Sequence, residues 1–378
     1  MDENKENLSD NSQEENKIKK EETTSTTSSS SEDNIIIQQE PSSSKEEKHG
    51  KKKKKKNIFL RILLFLFILI IIFVATAIAT SLWFVNDKLD KLNYVNDVTK
   101  EDVSVDEQVD ESLSEYRNIA LLGIDTREDT FSGSRSDCII IVSINNNTKD
   151  VKLLSVYRDT YLDIEGHGLD KVTHAYAYGG PRLTLSTLNR NLDLNISEFV
   201  TVNFETVRTV VNAIGGVDIT VTAAEASQIS GISGAGTYTL NGDQALAYSR
   251  IRKIDTDYQR TERMRTVLNA VFEKVKTLDI TQLNALLDTV LPHLSTNISK
   301  NDIIALLPDL LSYHVTNSEG WPYETRGITL NLWYGIPVTL EENVKQLHEN
   351  LFGEENYEPS ETVKSISNQI IQKTGYSN

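Results

Sequence analysis

Arginine is concentrated in residues 248–265, which read YSRIRKIDTDYQRTERMR. Five arginines and Lys253 fall within this stretch, although the whole chain has a formal net charge of −16. A guanidinium group donates two parallel hydrogen bonds to phosphate or carboxylate, so these arginines predict a ligand with several negative charges. Ion pairs such as Glu262 with Arg263 or Arg265 leave a second interpretation open, a solvated helix face.

Three short apolar runs upstream have charged residues at their ends. The runs cover residues 118–124, 138–144 and 151–156, and each is typical of a buried strand. If the first two strands are antiparallel and the third is parallel to the first, the charged ends meet at one edge of a sheet. This geometry is consistent with a single site. The charged residues beside the runs are Asp125, Arg135, Asp137, Arg158 and Asp159.

Strands and helices alternate in the rest of the sequence, which predicts an α/β fold: a layered domain with a central mixed β-sheet flanked by helices. Pro181 opens an amphipathic helix that runs to about Leu192. Residues 281–313 add two helices, and residues 321–351 form a less regular apolar segment. The other predicted elements are strands at 199–204 and within 215–222, and helices at 205–214, 241–250 and 258–276.

An uncharged, mostly apolar segment of 24 residues occupies positions 62–85. As a helix it would extend about 36 Å, enough for a hydrocarbon core of about 30 Å. Lysines fill positions 51–56 before it, so the positive-inside rule places the N-terminus in the cytoplasm and the rest outside the cell. We therefore predict one transmembrane helix at 57–86. A cleaved signal peptide is the alternative, which the length and the late start disfavour.

The sequence divides into further regions on either side of this helix. Residues 1–56 are rich in Ser, Thr, Glu and Lys and are predicted to be a disordered cytoplasmic tail. The acidic residues 87–116 are predicted to be an extracellular stalk, followed by a folded domain at 117–355 and a C-terminal tail at 356–378. Beside a membrane segment, the lysine run favours anionic lipid headgroups over nucleic acid, so no nucleic-acid partner is predicted.

Seven segments of the predicted domain match the sequence motifs of one known family, and they occur in the same order. They are NIALLGIDTR (118–127), SRSDCIIIVSI (134–144), VKLLSVYRDTYLDI (151–164), KVTHAYAYGG (171–180), FVTVNFETVRTVVNAIGGVDITV (199–221), LNGDQALAYSRIR (240–252) and DYQRTERMRTVL (257–268). The chain therefore resembles the LytR-CpsA-Psr family, the cell-wall ligases of Gram-positive bacteria. It departs from the residues that are common in the family at Tyr157, Thr173, Gln259 and Met264, while the charged residues of the motifs are kept.

The resemblance implies a reaction. Such enzymes take a glycopolymer, for example teichoic acid or capsule, from a polyprenyl-pyrophosphate lipid and join it through a phosphodiester to a peptidoglycan hydroxyl. The implied partners are the lipid-linked glycan, the peptidoglycan acceptor and the membrane, and the implied cofactor is Mg²⁺. The polyprenyl tail also needs an apolar tunnel. The apolar faces of 182–192, 205–214 and 264–275 are candidates, although an ordinary core requires the same faces.

The resemblance also implies roles for the charged residues. Asp125 and Asp137 match the family's magnesium carboxylates, although a turn residue and a salt bridge to Arg135 are the simpler alternatives. Arg127 is expected to support either the metal ion or the phosphate groups. The residues expected to bind the pyrophosphate are Arg135, Arg158, Lys171, Arg250, Arg252, Arg260 and Arg263.

Activation of the acceptor hydroxyl requires a base that reaches its proton. Asp159 is the expected base, with Asp257 as the alternative. Arg158 and Arg250 are expected to take part in catalysis as well as in binding. His174 is expected to be a core or hydrogen-bonded residue and not a catalyst.

Three other functions remain open at this point. A domain that binds lipid-linked glycan without chemistry needs no metal carboxylates, so Asp125 and Asp137 disfavour it. A polyprenyl-pyrophosphate hydrolase differs only in using water as the acceptor, and the sequence does not separate it from a transferase. A transcriptional regulator is disfavoured by the predicted extracellular domain and by the lack of a helix-turn-helix signal before the membrane segment.

Overall fold

The computed structural model describes residues 53–96, 98–126 and 133–377. Most of the predicted tail 1–56 lies outside the described residues, as does Arg127. The chain divides into two units, residues 1–68 and 69–378. Of the first unit, only the beginning of one long helix is described.

The second unit alternates strands with helices, as predicted. The helices are α1 (Lys53–Leu89), α2 (Glu107–Ser112), α3 (Val172–Leu192), α4 (Phe204–Ala213), α5 (Ala223–Ala226), α6 (Gly242–Ser249), α7 (Asp257–Val275), α8 (Ile280–Val290), α9 (Lys300–Leu306), α10 (Leu340–Phe352) and α11 (Glu361–Thr374). The strands are β1 (Asn93–Tyr94), β2 (Tyr116–Ile124), β3 (Ser136–Asn145), β4 (Asp150–Val156), β5 (Tyr161–Ile164), β6 (Gly168–Lys171), β7 (Glu198–Asn203), β8 (Val217–Val221), β9 (Gly236–Leu240), β10 (Ser295–Thr296), β11 (His314–Trp321), β12 (Thr325–Thr329) and β13 (Trp333–Pro337).

A seven-stranded mixed sheet in the order β1-β10-β7-β2-β3-β4-β11 forms the centre of this unit. Strands β2, β3 and β4 are antiparallel neighbours, so β4 runs parallel to β2. Strand β7 joins the other side of β2 in parallel, and β11 joins β4 in parallel. The central mixed sheet and the predicted directions of its three middle strands are confirmed.

Helices cover both faces of the sheet, which explains why its middle strands are apolar runs without alternation. On one face, Leu122 and Ile141 pack in a core with the apolar sides of α3, α10 and α11. On the other face, Ile140 and Leu153 pack with Leu268 of α7. The two faces therefore differ in the helices that can build a site on them.

The packed unit is larger than the predicted domain 117–355 at both ends. Val363 and Ile366 of α11, in the predicted tail 356–378, lie in the same core as the sheet. Val103 and Leu113, in the predicted stalk 87–116, are fully buried in it as well. Neither segment stands out in composition, but the apolar residues of α11 repeat at helical spacing and pack in the core.

Two other segments differ from expectation. Residues 321–351, expected to be less regular, form the end of β11, the β12–β13 hairpin and most of α10. Helix α1 includes the predicted membrane segment 57–86. Among the residues whose side chains are described, no helix meets the length and hydropathy needed to span a membrane.

Candidate active site at the strand edge

The ends of the central strands bring the predicted charged residues to one edge of the sheet. Strand β2 ends at Ile124, and the antiparallel β3 begins beside it at Ser136. The register shifts there, because Gly123 pairs with Cys138 and Ile124 with Ser136, which leaves Asp137 without a partner residue. A bulge of this kind re-aims a side chain. The sheet therefore presents Asp137 at the same edge as Asp125.

One close contact at this edge joins Asp137 to Arg158. Arg158 Nη1 lies 2.6 Å from Asp137 Oδ1, and its Nε lies 3.7 Å from Asp159 Oδ2. The pKa of Asp137 is raised, first by burial and then by the charges of Asp125 and Asp159, while Arg158 opposes the shift. The three aspartates therefore share one electrostatic environment.

The start of α7 adds a fourth aspartate with two arginines. Arg260 Nη2 lies 3.1 Å from Asp257 Oδ2 and donates to the carbonyl of Asp137 at 3.3 Å. Arg252 Nη2 lies 3.5 Å from Asp257 Oδ1. Burial raises the pKa of Asp257, and the charges of Asp159 and Asp137 raise it further. A hydrogen-bonded cap formed by Thr256 fixes this first turn of the helix.

Two more cations complete the group. Lys171 Nζ lies 2.6 Å from Asp159 Oδ1, and Arg250 Nη2 lies 3.8 Å from Asp125 Oδ1. The guanidinium of Arg250 also lies over the Phe204 ring, 4.7 Å from its centroid. We call this group the strand-edge cluster. Its members are Asp125, Asp137, Asp159, Asp257, Arg158, Lys171, Arg250, Arg252 and Arg260.

Arg135 lies at the margin of the cluster. Its carbonyl accepts a hydrogen bond from the Asp125 amide at 3.4 Å. Its side chain is exposed, and its charge lowers the pKa of the Tyr178 hydroxyl against the larger effect of Asp170. The salt bridge to Arg135 that the sequence left open for Asp137 is not formed, because Arg158 occupies that carboxylate.

An apolar cavity of about 160 Å³ opens beside the cluster. Its walls come from β2, β3, α4 and α7, and include Phe204, Val207 and Val271. Phe204 contacts both the cavity and Arg250, and this junction was not predicted. A second cavity of about 260 Å³ shares Leu121 and Leu268 with the first.

Two of the three predicted tunnel faces therefore line an apolar cavity, those of 205–214 and 264–275. The face of 182–192 does not, because Leu185, Leu188 and Leu192 are buried in the core on the opposite side of the sheet. Met264, at a position where the family commonly has glutamine, lies among the cavity walls.

The cluster suits a metal ion only in part. Among the described residues, no group of three or more His, Cys, Asp or Glu side chains is placed to hold one. Mg²⁺ is commonly bound through one or two carboxylates, with phosphate and water as its other ligands. Asp125 and Asp137 supply two carboxylates at neighbouring strand ends, so these residues fit an Mg²⁺ ion whose other ligands are phosphate and water.

Comparison with known proteins places the chain in a family. Residues 83–348 match the model of the LytR_cpsA_psr family. The chain belongs to the LytR_cpsA_psr family. The family match begins inside α1, before the predicted domain boundary at 117, in agreement with the larger packed unit.

Individual members of the LytR_cpsA_psr family are similar over most of their length. Polyisoprenyl-teichoic acid–peptidoglycan teichoic acid transferase TagT of Bacillus subtilis (strain 168) is 39% identical over 225 residues, 56% of this chain and 70% of that protein. The structure of TagT bound to LI-WTA has a TM-score of 0.54 and 32% identity, and covers 68% of this chain and 97% of that one. TagT with bound octaprenyl pyrophosphate lipid has a TM-score of 0.50 and 30% identity, and covers 68% of this chain and 97% of that one.

One arginine that the family resemblance assigned to pyrophosphate binding lies elsewhere. Arg263 is 5% exposed, and its Nε lies 2.6 Å from Glu225 Oε1. It also pairs with Asp255 and donates to the Ile251 carbonyl at 3.3 Å. Side chains three positions apart on an α-helix point in directions that differ by about 60°, so Arg260 and Arg263 face different neighbours. We therefore correct the role of Arg263 from a ligand contact to a support of the loop before α7.

Replacing Arg263 by methionine is expected to destabilise the fold by about 3–5 kcal/mol, because Glu225 and Asp255 would lose the charge that balances them. The free energy of unfolding from a urea titration measures this loss. Arg252→Met is the matched control, because Arg252 is half exposed and its removal should cost about 1 kcal/mol or less. Equal, small losses in the two variants would contradict the supporting role.

Proposed function

We propose that this protein transfers a glycopolymer from a polyprenyl-pyrophosphate carrier to peptidoglycan. The observation that carries the proposal is the position of the apolar cavity directly beside the strand-edge cluster, joined to it at Phe204. An amphiphile with an isoprenoid tail and a diphosphate head matches both parts. Teichoic acid transfer by TagT and TagU, which are 39% and 34% identical to this chain, supports the same reaction class.

The five cations of the cluster would bind the diphosphate. The side chains of Arg250 and Arg252 are about half exposed, so their guanidinium donors are accessible to a ligand. Guanidinium groups fixed in a water-poor site stabilise charge that develops on transferred and leaving phosphates. When bound by Asp125 and Asp137, Mg²⁺ would neutralise phosphate charge at this site.

The transfer step breaks a phosphoanhydride bond of the donor and forms a phosphoester bond to the acceptor. The acceptor hydroxyl oxygen forms a bond to the phosphorus that bears the glycan, and the bond from that phosphorus to the bridging oxygen breaks. Polyprenyl phosphate leaves with the bridging oxygen. The hydroxyl proton passes to a carboxylate, for which we favour Asp257 over Asp159. Each of the two carboxylates contacts two cations, but the pKa of Asp257 is raised, first by burial, which makes it the better proton acceptor.

Asp257→Asn is expected to lower kcat for transfer by about 100-fold or more, because general-base catalysis contributes at least that much. In the unmodified protein, kcat should rise as the pH increases through the raised pKa of Asp257, above the ordinary value of 3.8. The Asp257→Asn variant should not show this rise of kcat with pH, which forms the acid limb of the pH–rate profile. A pH–rate profile of both proteins measures it, and an unchanged limb in the variant would assign the base to Asp159.

Val207→Trp is expected to fill part of the apolar cavity and to raise KM about 10-fold for a donor with a long polyprenyl chain, because buried CH₂ groups lose their contacts. A donor with a two-isoprene chain should be affected little. Glu205→Trp, on the exposed side of α4, serves as the control. Equal effects on the long and short donors would show that the tail binds elsewhere.

We further propose that α1 anchors the protein in the membrane with the folded domain outside the cell. Large apolar side chains are exposed at every position from 65 to 74, and the lysine run at 51–56 comes before this apolar segment. Protease added outside intact protoplasts should digest the chain after residue 87 and spare the lysine run at 51–56. Digestion of the lysine run would reverse the orientation.

The full chain in detergent micelles tests the proposed function directly. A defined glycan on octaprenyl pyrophosphate is incubated with peptidoglycan oligomers, with Mg²⁺ or with EDTA. We expect glycan–peptidoglycan product and octaprenyl phosphate in equal amounts, with losses in EDTA and in Arg250→Ala. Octaprenyl phosphate without joined product would identify a hydrolase, and donor binding without turnover a binding module. Activity unaffected by EDTA and by Arg250→Ala would contradict the mechanism.

A further inference from the structure

A second polar group adjoins the strand-edge cluster on the α3 side. Asp170 precedes Lys171 in the chain, and its Oδ2 accepts a hydrogen bond from the Tyr178 hydroxyl at 2.8 Å. His174 Nδ1 lies 2.8 Å from the same oxygen. The Tyr334 hydroxyl reaches Asp170 Oδ1 at 3.4 Å. One backbone step therefore connects this group to the Lys171–Asp159 pair.

Tyr178 is the exposed member of the group. It is 47% exposed, although its hydroxyl is tied down and its ring stacks on His167 with centroids 4.2 Å apart and planes 10° apart. The α3 backbone breaks after it, at Gly179 and at Gly180, where φ is 64° and ψ is −154°. Such a ring has little conformational freedom to lose when a ligand covers it. We call Tyr178, His167 and Asp170 the aromatic platform.

The platform and the apolar cavity lie on opposite faces of the sheet. The cavity is built on the α7 face, with Leu121, Cys138 and Ile140 among its walls. Helix α3 packs on the other face, with Leu122, Ile139 and Ile141. The strand-edge cluster lies between them at the end of the sheet. A donor whose tail fills the cavity leaves the α3 face as the open approach for an acceptor.

We infer that the aromatic platform binds a sugar ring of the acceptor glycan. This inference rests on the proposed transferase function. A pyranose has apolar C–H faces that stack on an aromatic ring, and hydroxyl groups that donate to a carboxylate such as Asp170. Arg135, whose charge acts on the Tyr178 hydroxyl, adds a cation at the side that faces the cluster. The platform would hold the acceptor while its reacting hydroxyl extends toward Asp159 and Asp257.

Glycan binding by the full chain tests this inference independently of catalysis. The probe is a peptidoglycan tetrasaccharide released by a muramidase, and its Kd is measured by isothermal titration calorimetry. Tyr178→Ala should weaken binding about 10-fold, the range expected for loss of one aromatic stacking contact. Tyr178→Trp, which keeps an aromatic plate, should restore most of it. Tyr238→Ala, a tyrosine of β9 whose hydroxyl bonds only nearby backbone, is the matched control.

Donor turnover to water, without acceptor, separates the platform from the reaction centre. Tyr178→Ala should leave this turnover within about twofold while KM for the acceptor rises about 10-fold. Equal losses in turnover and in acceptor binding would overturn the inference, because the platform would then only support the fold or the cluster. No tetrasaccharide binding by the unmodified protein would overturn it too. Binding that depends on Tyr178 without any transfer would retain the platform and reject the proposed function instead.

Discussion

Arg158→Met is expected to lower kcat/KM for glycopolymer transfer by about 100- to 1,000-fold, the effect of removing one fixed donor from a charge-stabilising site. Arg158 contacts two of the four aspartates of the strand-edge cluster, and its side chain is 16% exposed. No other described cation of the cluster contacts both Asp137 and Asp159 through its side chain. Single-turnover rates with octaprenyl-linked donor measure the loss.

Arg158→Lys is the informative control for this result. It keeps the charge and loses the planar pair of donors, so recovery should be partial. The thermal midpoint of each variant is measured to separate activity from folding. Full activity in Arg158→Met, or a loss fully explained by unfolding, would remove Arg158 from the mechanism.

Asp137→Asn is expected to lower transfer activity by about 100-fold or more and to raise the Mg²⁺ concentration needed for half-maximal rate, because one of two proposed metal carboxylates is lost. Stability should be nearly unchanged. The pKa of Asp137 is raised by burial even with Arg158 beside it, so the folded state does not favour its charged form, and a neutral amide costs little there. Activity during Mg²⁺ titration and the urea midpoint measure the two effects.

Asp125→Asn should behave in the same way, and Asp243→Asn supplies a matched control. Asp243 is an exposed carboxylate on α6 that faces Arg208, away from the cluster. An Asp137→Asn protein with an unaltered Mg²⁺ requirement would exclude this carboxylate as a ligand. An equal shift in Asp243→Asn would show that the effect reflects net charge alone.

The sequence was most informative about the middle of the sheet. Strands β2, β3 and β4 are buried on both faces, so each is a continuous apolar run with charged residues at its ends. The short turn after β3 reverses the chain, which sets β4 antiparallel to β3. The sequence analysis assumed an antiparallel pairing of β2 with β3, and the structure supplies it. The convergence of Asp125, Asp137 and Arg158 at one edge follows once both pairings are given.

Contacts between distant segments could not be predicted in this way. Arg260 and Arg263 are the same residue type about one turn apart, and the positions of their partners, Asp257 for Arg260 and Glu225 with Asp255 for Arg263, separate their roles. Helix α11 has apolar residues only along one side, so its overall composition is polar and resembles that of an unpacked C-terminal tail. The contact between Asp170 and His174 left a weak signal, since the two residues are four positions apart in the sequence.

Each cation of the strand-edge cluster already has an aspartate of the same chain as its partner. An incoming anion must therefore displace an internal competitor before it can bind. Chloride or a single phosphate brings too little charge to do so and leaves a carboxylate stranded in a water-poor place. A diphosphate that arrives with a divalent ion satisfies both sides at once. The aspartates would thus disfavour the binding of small single anions relative to a diphosphate that carries its own divalent ion.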